Sequence, residues 1–153
     1  MSRPCLFLDR DGVINVKPPE GEYVRRWDEF RLIPAAVDWI RLFNAAGFLA
    51  VVVTNQRGVA LGLMTLADVA DIHARMIAEL ASRGAVIDDV FVCPHEEGAC
   101  ECRKPRPGLV RAAQAKWDID LGRSLLIGDS DRDRGLANAC GIQFLRACDG
   151  KLL

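Results

Sequence analysis

Apolar runs of strand length alternate with amphipathic helical segments along this chain. Cys5–Leu8 and Phe48–Val53 are unbroken apolar stretches too short for helices, so the pattern predicts strands there. Asp89–Cys93, Ser124–Ile127 and Ile142–Leu145 read as three more. Between them the apolar positions recur at helical spacing. Pro34 opens a helix whose inward face is Val37, Ile40, Leu42 and Phe43, and Gly47 suits its end. Thr65 with Asp68 three positions on reads as a near capping box, starting a helix that Gly84 ends. Pro107 opens a third helix, to about Trp117, and a fourth runs from Asp131, its N-cap, to Cys140 before Gly141. Strict alternation of strand and helix predicts an α/β fold, a doubly wound parallel sheet covered on both faces, forming a single domain over residues 1–153.

Composition narrows the function. Of the 153 residues 50% are hydrophobic and 27% charged, an ordinary globular balance. Twenty basic against 21 acidic residues leave a net charge of -1, so no global field draws the chain to nucleic acid or to an anionic membrane, and neither partner is expected. Met1-Ser2-Arg3-Pro4 lacks the apolar core of a leader, and no run approaches the roughly 20 residues that span a bilayer. A cytoplasmic monomer is expected, in which the six cysteines are thiols available for metal or for core packing.

Asp9 to Leu32 lies between the first strand and the first helix with little periodicity, and loops of that length in compact domains are usually functional. In an open parallel sheet, ligands sit beyond the carboxyl ends of the strands. Those ends carry Asp9-Arg10-Asp11-Gly12-Val13-Ile14-Asn15, then Thr54-Asn55-Gln56, then Gly128-Asp129-Ser130-Asp131-Arg132-Asp133. Carboxylates converging at one sheet edge repel unless a cation neutralises them, and a hard ion such as Mg²⁺ is the natural occupant. With no serine in a plausible His-Asp relay and no Walker loop, a carboxylate nucleophile is what remains. A second constellation, Cys93-Pro94-His95 followed by Cys100-Glu101-Cys102, matches a closed tetrahedral structural Zn²⁺ site. Cys5 reads as core, Cys140 and Cys148 show no ligand spacing, His73 reads as a surface or boundary position, and Trp27 as a candidate pocket wall.

Asp9-x-Asp11-Gly12-Val13-Ile14-Asn15, Val53-Thr54-Asn55-Gln56, Cys102-Arg103-Lys104-Pro105 and Gly128-Asp129-x3-Asp133 resemble the four ordered motifs of the haloacid dehalogenase superfamily. The nearer resemblance is to the branch that holds heptose-bisphosphate and histidinol phosphatases. It implies a capless, Mg²⁺-dependent phosphomonoesterase acting on a small-molecule phosphate ester, with a sugar phosphate favoured. Histidinol phosphate, or a non-catalytic zinc-stabilised scaffold, are the alternatives. By that resemblance Asp9 attacks phosphorus and Asp11 protonates the leaving oxygen, then deprotonates water. Thr54, Asn55, Arg103 and Lys104 bind phosphate, while Asp9, Asp129 and the main-chain carbonyl of Asp11 hold Mg²⁺. Asp133 serves either a metal-bound water or Lys104. The zinc loop of Cys93, His95, Cys100 and Cys102 fixes the segment that delivers Arg103 and Lys104. Two departures are visible: Ser130 stands where the branch often has Lys, and the chain stops about eight residues beyond its last predicted strand.

Overall fold

A computed structural model describes residues 2–153; Met1, the first residue of the stretch read above for a leader, lies outside them. In chain order the elements are β1 (Cys5–Leu8), α1 (Pro34–Ala45), β2 (Leu49–Asn55), α2 (Leu66–Ser82), β3 (Asp89–Cys93), α3 (Gly108–Trp117), β4 (Leu125–Gly128), α4 (Asp131–Cys140), β5 (Gln143–Cys148) and β6 (Lys151–Leu152). They form one sheet of order β3-β2-β1-β4-β5-β6. Pairing from β3 through β5 is parallel, with Phe7 beside both Val51 and Leu126. β6 corrects the all-parallel expectation, because Asp149 and Gly150, both at positive φ, turn the chain back against β5. An Asp-Gly pair is a strong hairpin signal, and it was legible at that position.

Successive residues of each strand feed opposite faces, which is why the apolar runs are unbroken. Cys5, Phe7, Val51 and Val53 pack against Leu109, Val110, Leu136 and Ala137 of α3 and α4. Leu6, Leu8, Ala50 and Val52 pack against Val37, Ile40, Met76 and Leu80 of α1 and α2. Leu42 does not join this layer. It is 67% exposed, since two residues past Ile40 is more than half a turn around the helix.

Two helix starts show which side chains cap them. Thr65 Oγ1 accepts from the Asp68 amide at 3.0 Å while Asp68 Oδ2 accepts from the Thr65 amide at 2.8 Å, completing the expected capping box. α4 is capped by Ser130 and not by Asp131: Ser130 has extended backbone and its hydroxyl reaches the Asp133 amide, while Asp131 is exposed and pairs with Arg146. The segment after β1 curls at once, the Arg10 carbonyl accepting from the amides of Val13, Ile14 and Asn15, so that Val13 and Ile14 enter the core. It then folds out as a flap whose return is tied by Val16 to Arg31 and by Ile33 to Ile14. Trp27 stacks on Phe30 with ring centroids 4.8 Å apart and packs against the core, away from the pocket it was expected to line. Among the described residues no helix is long and apolar enough to cross a membrane.

Candidate active site

The strand order reverses between β1 and β4, the place where an open α/β sheet leaves a crevice. Register pairs Leu8 with Ile127, so Asp9 and Asp129 emerge side by side one and two residues later. Gly12 permits this closeness. Its φ is +89°, and a Cβ there would fall 2.0 Å from Asp129 Oδ2.

Carboxylate oxygens of Asp9, Asp129 and Asp133 lie within 4.8 Å of one another. A single buried ammonium serves the group: Lys104 Nζ donates to Asp9 Oδ1 (2.9 Å), Asp133 Oδ1 (2.8 Å) and the Val53 carbonyl (3.0 Å). Burial works against the Lys104 charge, but Asp9 and Asp133 outweigh it and hold its pKa above the ordinary lysine range. Burial also drives the Asp9 carboxyl well above its ordinary value; Lys104 opposes this, while Asp133 and Asp129 add to it. Three crowded carboxylates against two cations, the buried Lys104 and the exposed Lys17, are short of positive charge. Asp129 marks where more would fit, because its Oδ1 is buried without a hydrogen-bond partner among the described residues. Its Oδ2 meets Lys17 at 3.3 Å. Asp133 makes the Lys104 contact that one of its two expected roles requires. Its other oxygen accepts from the Ser130 hydroxyl (2.9 Å) and the Asp129 amide (3.2 Å), which fixes the carboxylate at the head of α4.

Asp9 accepts from Lys104 and from the Arg10 amide, and among the described residues both hydrogen bonds fall on Oδ1. Asp11 is gripped on both oxygens: Oδ1 by Arg10 (2.9 and 3.3 Å) and Asn15 (2.9 Å), Oδ2 by Gln56 (3.1 Å). Burial would raise its pKa, but the Arg10 charge and these donors outweigh burial and lower it.

The predicted phosphate binders separate. Asn55 lines the cavity and clamps the next loop, its Oδ1 accepting from the Lys104 amide at 3.0 Å. Thr54 is buried and faces inward, its hydroxyl accepting from Gln56 at 2.9 Å, so its side chain is not part of the cavity wall. Arg103 lines the cavity and its Nη1 is buried with no partner among the described residues. The cavity encloses about 630 Å³, bounded on one side by Asp9, Asp11 and Asp129 and on the other by the flap from Lys17 to Tyr23.

Cys93, His95, Cys100 and Cys102 gather behind this wall with ligand atoms within 4.8 Å of one another. Successive pairs are separated by 3.3 to 3.6 Å, close to the edge of about 3.7 Å that Zn–S bonds of 2.3 Å give a tetrahedron. His95 offers Nδ1. The loop is seated on α3 at Gly108, where a Cβ would stand 2.6 Å from the Glu101 carbonyl and the Cys102 Cα.

Sequence reasoning missed Arg10, Asn15, Gln56 and His73. The first three lie inside the motifs read above without a task assigned to them. His73 is buried, contrary to the surface or boundary reading, because it falls on the same apolar stripe of α2 as Val69, Ile72, Met76 and Leu80. That spacing was the available signal.

Residues 101–151 match the HAD-hydrolase-like family. A D-glycero-beta-D-manno-heptose-1,7-bisphosphate 7-phosphatase of Rhodopseudomonas palustris is 44% identical over 152 residues, covering 94% of this chain and 83% of the relative. A D-glycero-alpha-D-manno-heptose-1,7-bisphosphate 7-phosphatase of Mycobacterium tuberculosis is 46% identical over 136 residues, 88% of this chain and 71% of the relative. The crystal structure of D,D-heptose 1,7-bisphosphate phosphatase from B. bronchiseptica, complexed with magnesium and phosphate, superposes with a TM-score of 0.84 at 37% identity, covering 92% of this chain and 78% of that one. Fold, motif order and relatives agree: the chain belongs to the haloacid dehalogenase-like hydrolase family. Within it the chain is a phosphatase, of the branch that contains the heptose-bisphosphate enzymes.

Proposed function

We propose that the chain removes one phosphate, that on C7, from a D-glycero-D-manno-heptose 1,7-bisphosphate through a phosphoryl group carried on Asp9. The observation that carries this reading is the state of Asp9, which lines the cavity beside Asp129 and whose Oδ1 accepts from Lys104 and Arg10 while Oδ2 has no hydrogen bond among the described residues. The names borne by the relatives supply the substrate class.

Oδ2 of Asp9 attacks phosphorus, the P–O bond to the sugar breaks, and the departing oxygen takes its proton from Asp11. Asp11 then receives a proton from the water that attacks the aspartyl-phosphate, which releases phosphate and restores Asp9. Lys104, its three donors taken by Asp9, Asp133 and the Val53 carbonyl, holds the Asp9 carboxylate in line and supplies positive charge beside the transferred group, while Asn55 lines the cavity that receives it. Asp9, Asp129 and the main-chain carbonyl of Asp11 would hold Mg²⁺, a fit supported by the orphaned Asp129 Oδ1. Bound there, the ion offsets the repulsion between the carboxylate and the incoming phosphate. Cys93, His95, Cys100 and Cys102 would hold Zn²⁺ as a structural tie, keeping Arg103 and Lys104 at the wall. The unpartnered Arg103 Nη1 suits the second phosphate of a bisphosphate, which a guanidinium fork grips well.

The test is ³¹P NMR of the reaction with heptose 1,7-bisphosphate and Mg²⁺. Loss of the C7 resonance with the C1 phosphate kept is expected. Faster turnover of histidinol phosphate, or release of the C1 phosphate first, would overturn the substrate assignment.

A further inference from the structure

The mechanism leaves two buried groups unused, the Arg10 guanidinium and the His73 imidazole. Arg10 is wholly out of solvent. One edge of it, Nη2 and Nε, donates to Asp11 Oδ1 at 2.9 and 3.3 Å. Its remaining nitrogen, Nη1, stands 3.1 Å from Nε2 of His73, which comes from the middle of α2, 63 positions away. A guanidinium only donates, so this contact is a hydrogen bond when Nε2 carries no proton and Nδ1 does. The surroundings enforce that state: burial, then the Arg10 charge, hold the His73 pKa down at about 3.

We propose that His73 is a positioning residue for the phosphatase reaction: by accepting from Arg10 Nη1 it locks the guanidinium whose other edge fixes the Asp11 carboxylate at the cavity wall. This rests on the reading of Asp11 as the acid that protonates the leaving oxygen. Asp11 follows directly on Arg10, so nothing in the local chain prevents the long Arg10 side chain from taking another rotamer and carrying its hold on Asp11 away. The contact from α2 removes that freedom, and with it the variation in where the acid stands. A misplaced acid penalises only leaving groups that need a proton, which separates positioning from general loosening of the core.

Two amides test the geometry. The side-chain oxygen of Gln falls near the place of Nε2, within reach of Arg10, whereas that of Asn falls near Nδ1 and stops short. The measurement is kcat/KM, which reports the steps through leaving-group release, on p-nitrophenyl phosphate and on fructose 1,6-bisphosphate with Mg²⁺. Nitrophenolate departs without a proton; a sugar alkoxide does not. His73→Asn is expected to lose about tenfold on the sugar ester and less than about twofold on the aryl ester, with His73→Gln within about twofold of the parent on both. An unchanged ratio between the two substrates in His73→Asn, through equal losses or none, overturns the proposal. Should that variant fail to fold by thermal melting, Arg10→Lys keeps a charge near Asp11 but cannot reach both partners, and it carries the same expectation and the same refutation. Asp11→Asn, run alongside, is expected to widen the gap further. If it does so while His73→Asn does not, the His73 role alone fails; if it leaves the ratio unchanged, the acid role fails and the His73 role with it.

Discussion

At the level of single residues, the division of labour between Asp9 and Asp11 follows from which of their oxygens are engaged. Among the described residues Asp9 keeps one oxygen without a hydrogen bond, which suits the proposed attack. The donors on both oxygens of Asp11 favour its ionised form, so the proposed acid role requires Asp11 to take up a proton before the leaving oxygen departs. Asp9→Asn is expected to abolish turnover, whereas Asp11→Asn should lose about 10²- to 10⁴-fold in kcat on a sugar ester, the usual span for general acid-base help. Steady-state kinetics of the two purified variants checks the order; near-native activity in Asp9→Asn would refute it. Arg103→Ala probes the second phosphate. It should lose about 10- to 100-fold in kcat/KM on a sugar bisphosphate and much less on p-nitrophenyl phosphate, because remote binding energy is used in the transition state. Equal losses on both would mean that Arg103 serves the transferred phosphoryl group. The acidic residues and the lysine of this site were legible because each stands just after a predicted strand or inside a motif. Thr54 stood in such a place too. Its neighbour Gln56 draws the hydroxyl inward, and strand-end position alone does not fix the direction of a side chain.

Among the elements, the loop between β3 and α3 has the least regular structure for the work it does. It carries the cysteine cluster and then Arg103 and Lys104, and it meets α3 in the tight contact at Gly108. Removing a ligand should therefore act through order before chemistry. Cys100→Ser is expected to copurify with less than one zinc per chain by elemental analysis, to melt at lower temperature, and to lose activity in step with that change. Full zinc occupancy in this variant would contradict the ligand set. At the start of α2, Thr65→Ala removes one half of the capping box and should destabilise by about 1 kcal/mol in urea titration with activity retained, since neither Thr65 nor Asp68 lines the cavity. Helix starts were readable to within a residue from Thr65, Pro34 and Pro107. For α4 the choice between Ser130 and Asp131 turned on which side chain reaches the Asp133 amide, a matter of backbone direction that adjacent capping residues do not disclose. β6 went unpredicted because two residues carry no period, although Asp149-Gly150 announced the turn.

For the molecule as a whole, alternation of apolar runs and helical stripes was sufficient for the doubly wound class and for a ligand site at the strand ends. The strand order was a further step. It puts Asp9 and Asp129 in one crevice only because the chain returns across the sheet after β3 to lay β4 beside β1. Contacts that join distant segments, such as Arg10 with His73 or Lys104 with both Asp9 and Asp133, leave no local period, so the sequence showed the participants and not the pairing. The central claim is that Asp9 carries the phosphoryl group between its two transfers. The direct measurement uses Asp11→Asn with p-nitrophenyl phosphate and Mg²⁺, a substrate whose leaving group departs without a proton while the second transfer lacks its base. Quenched in acid and mapped by peptide mass spectrometry, this variant is expected to carry one phosphoryl group on the peptide containing Asp9, and the Asp9→Asn/Asp11→Asn double variant none. Nitrophenol release by Asp11→Asn without a phosphorylated peptide, or with the phosphoryl group on another residue, would contradict the account.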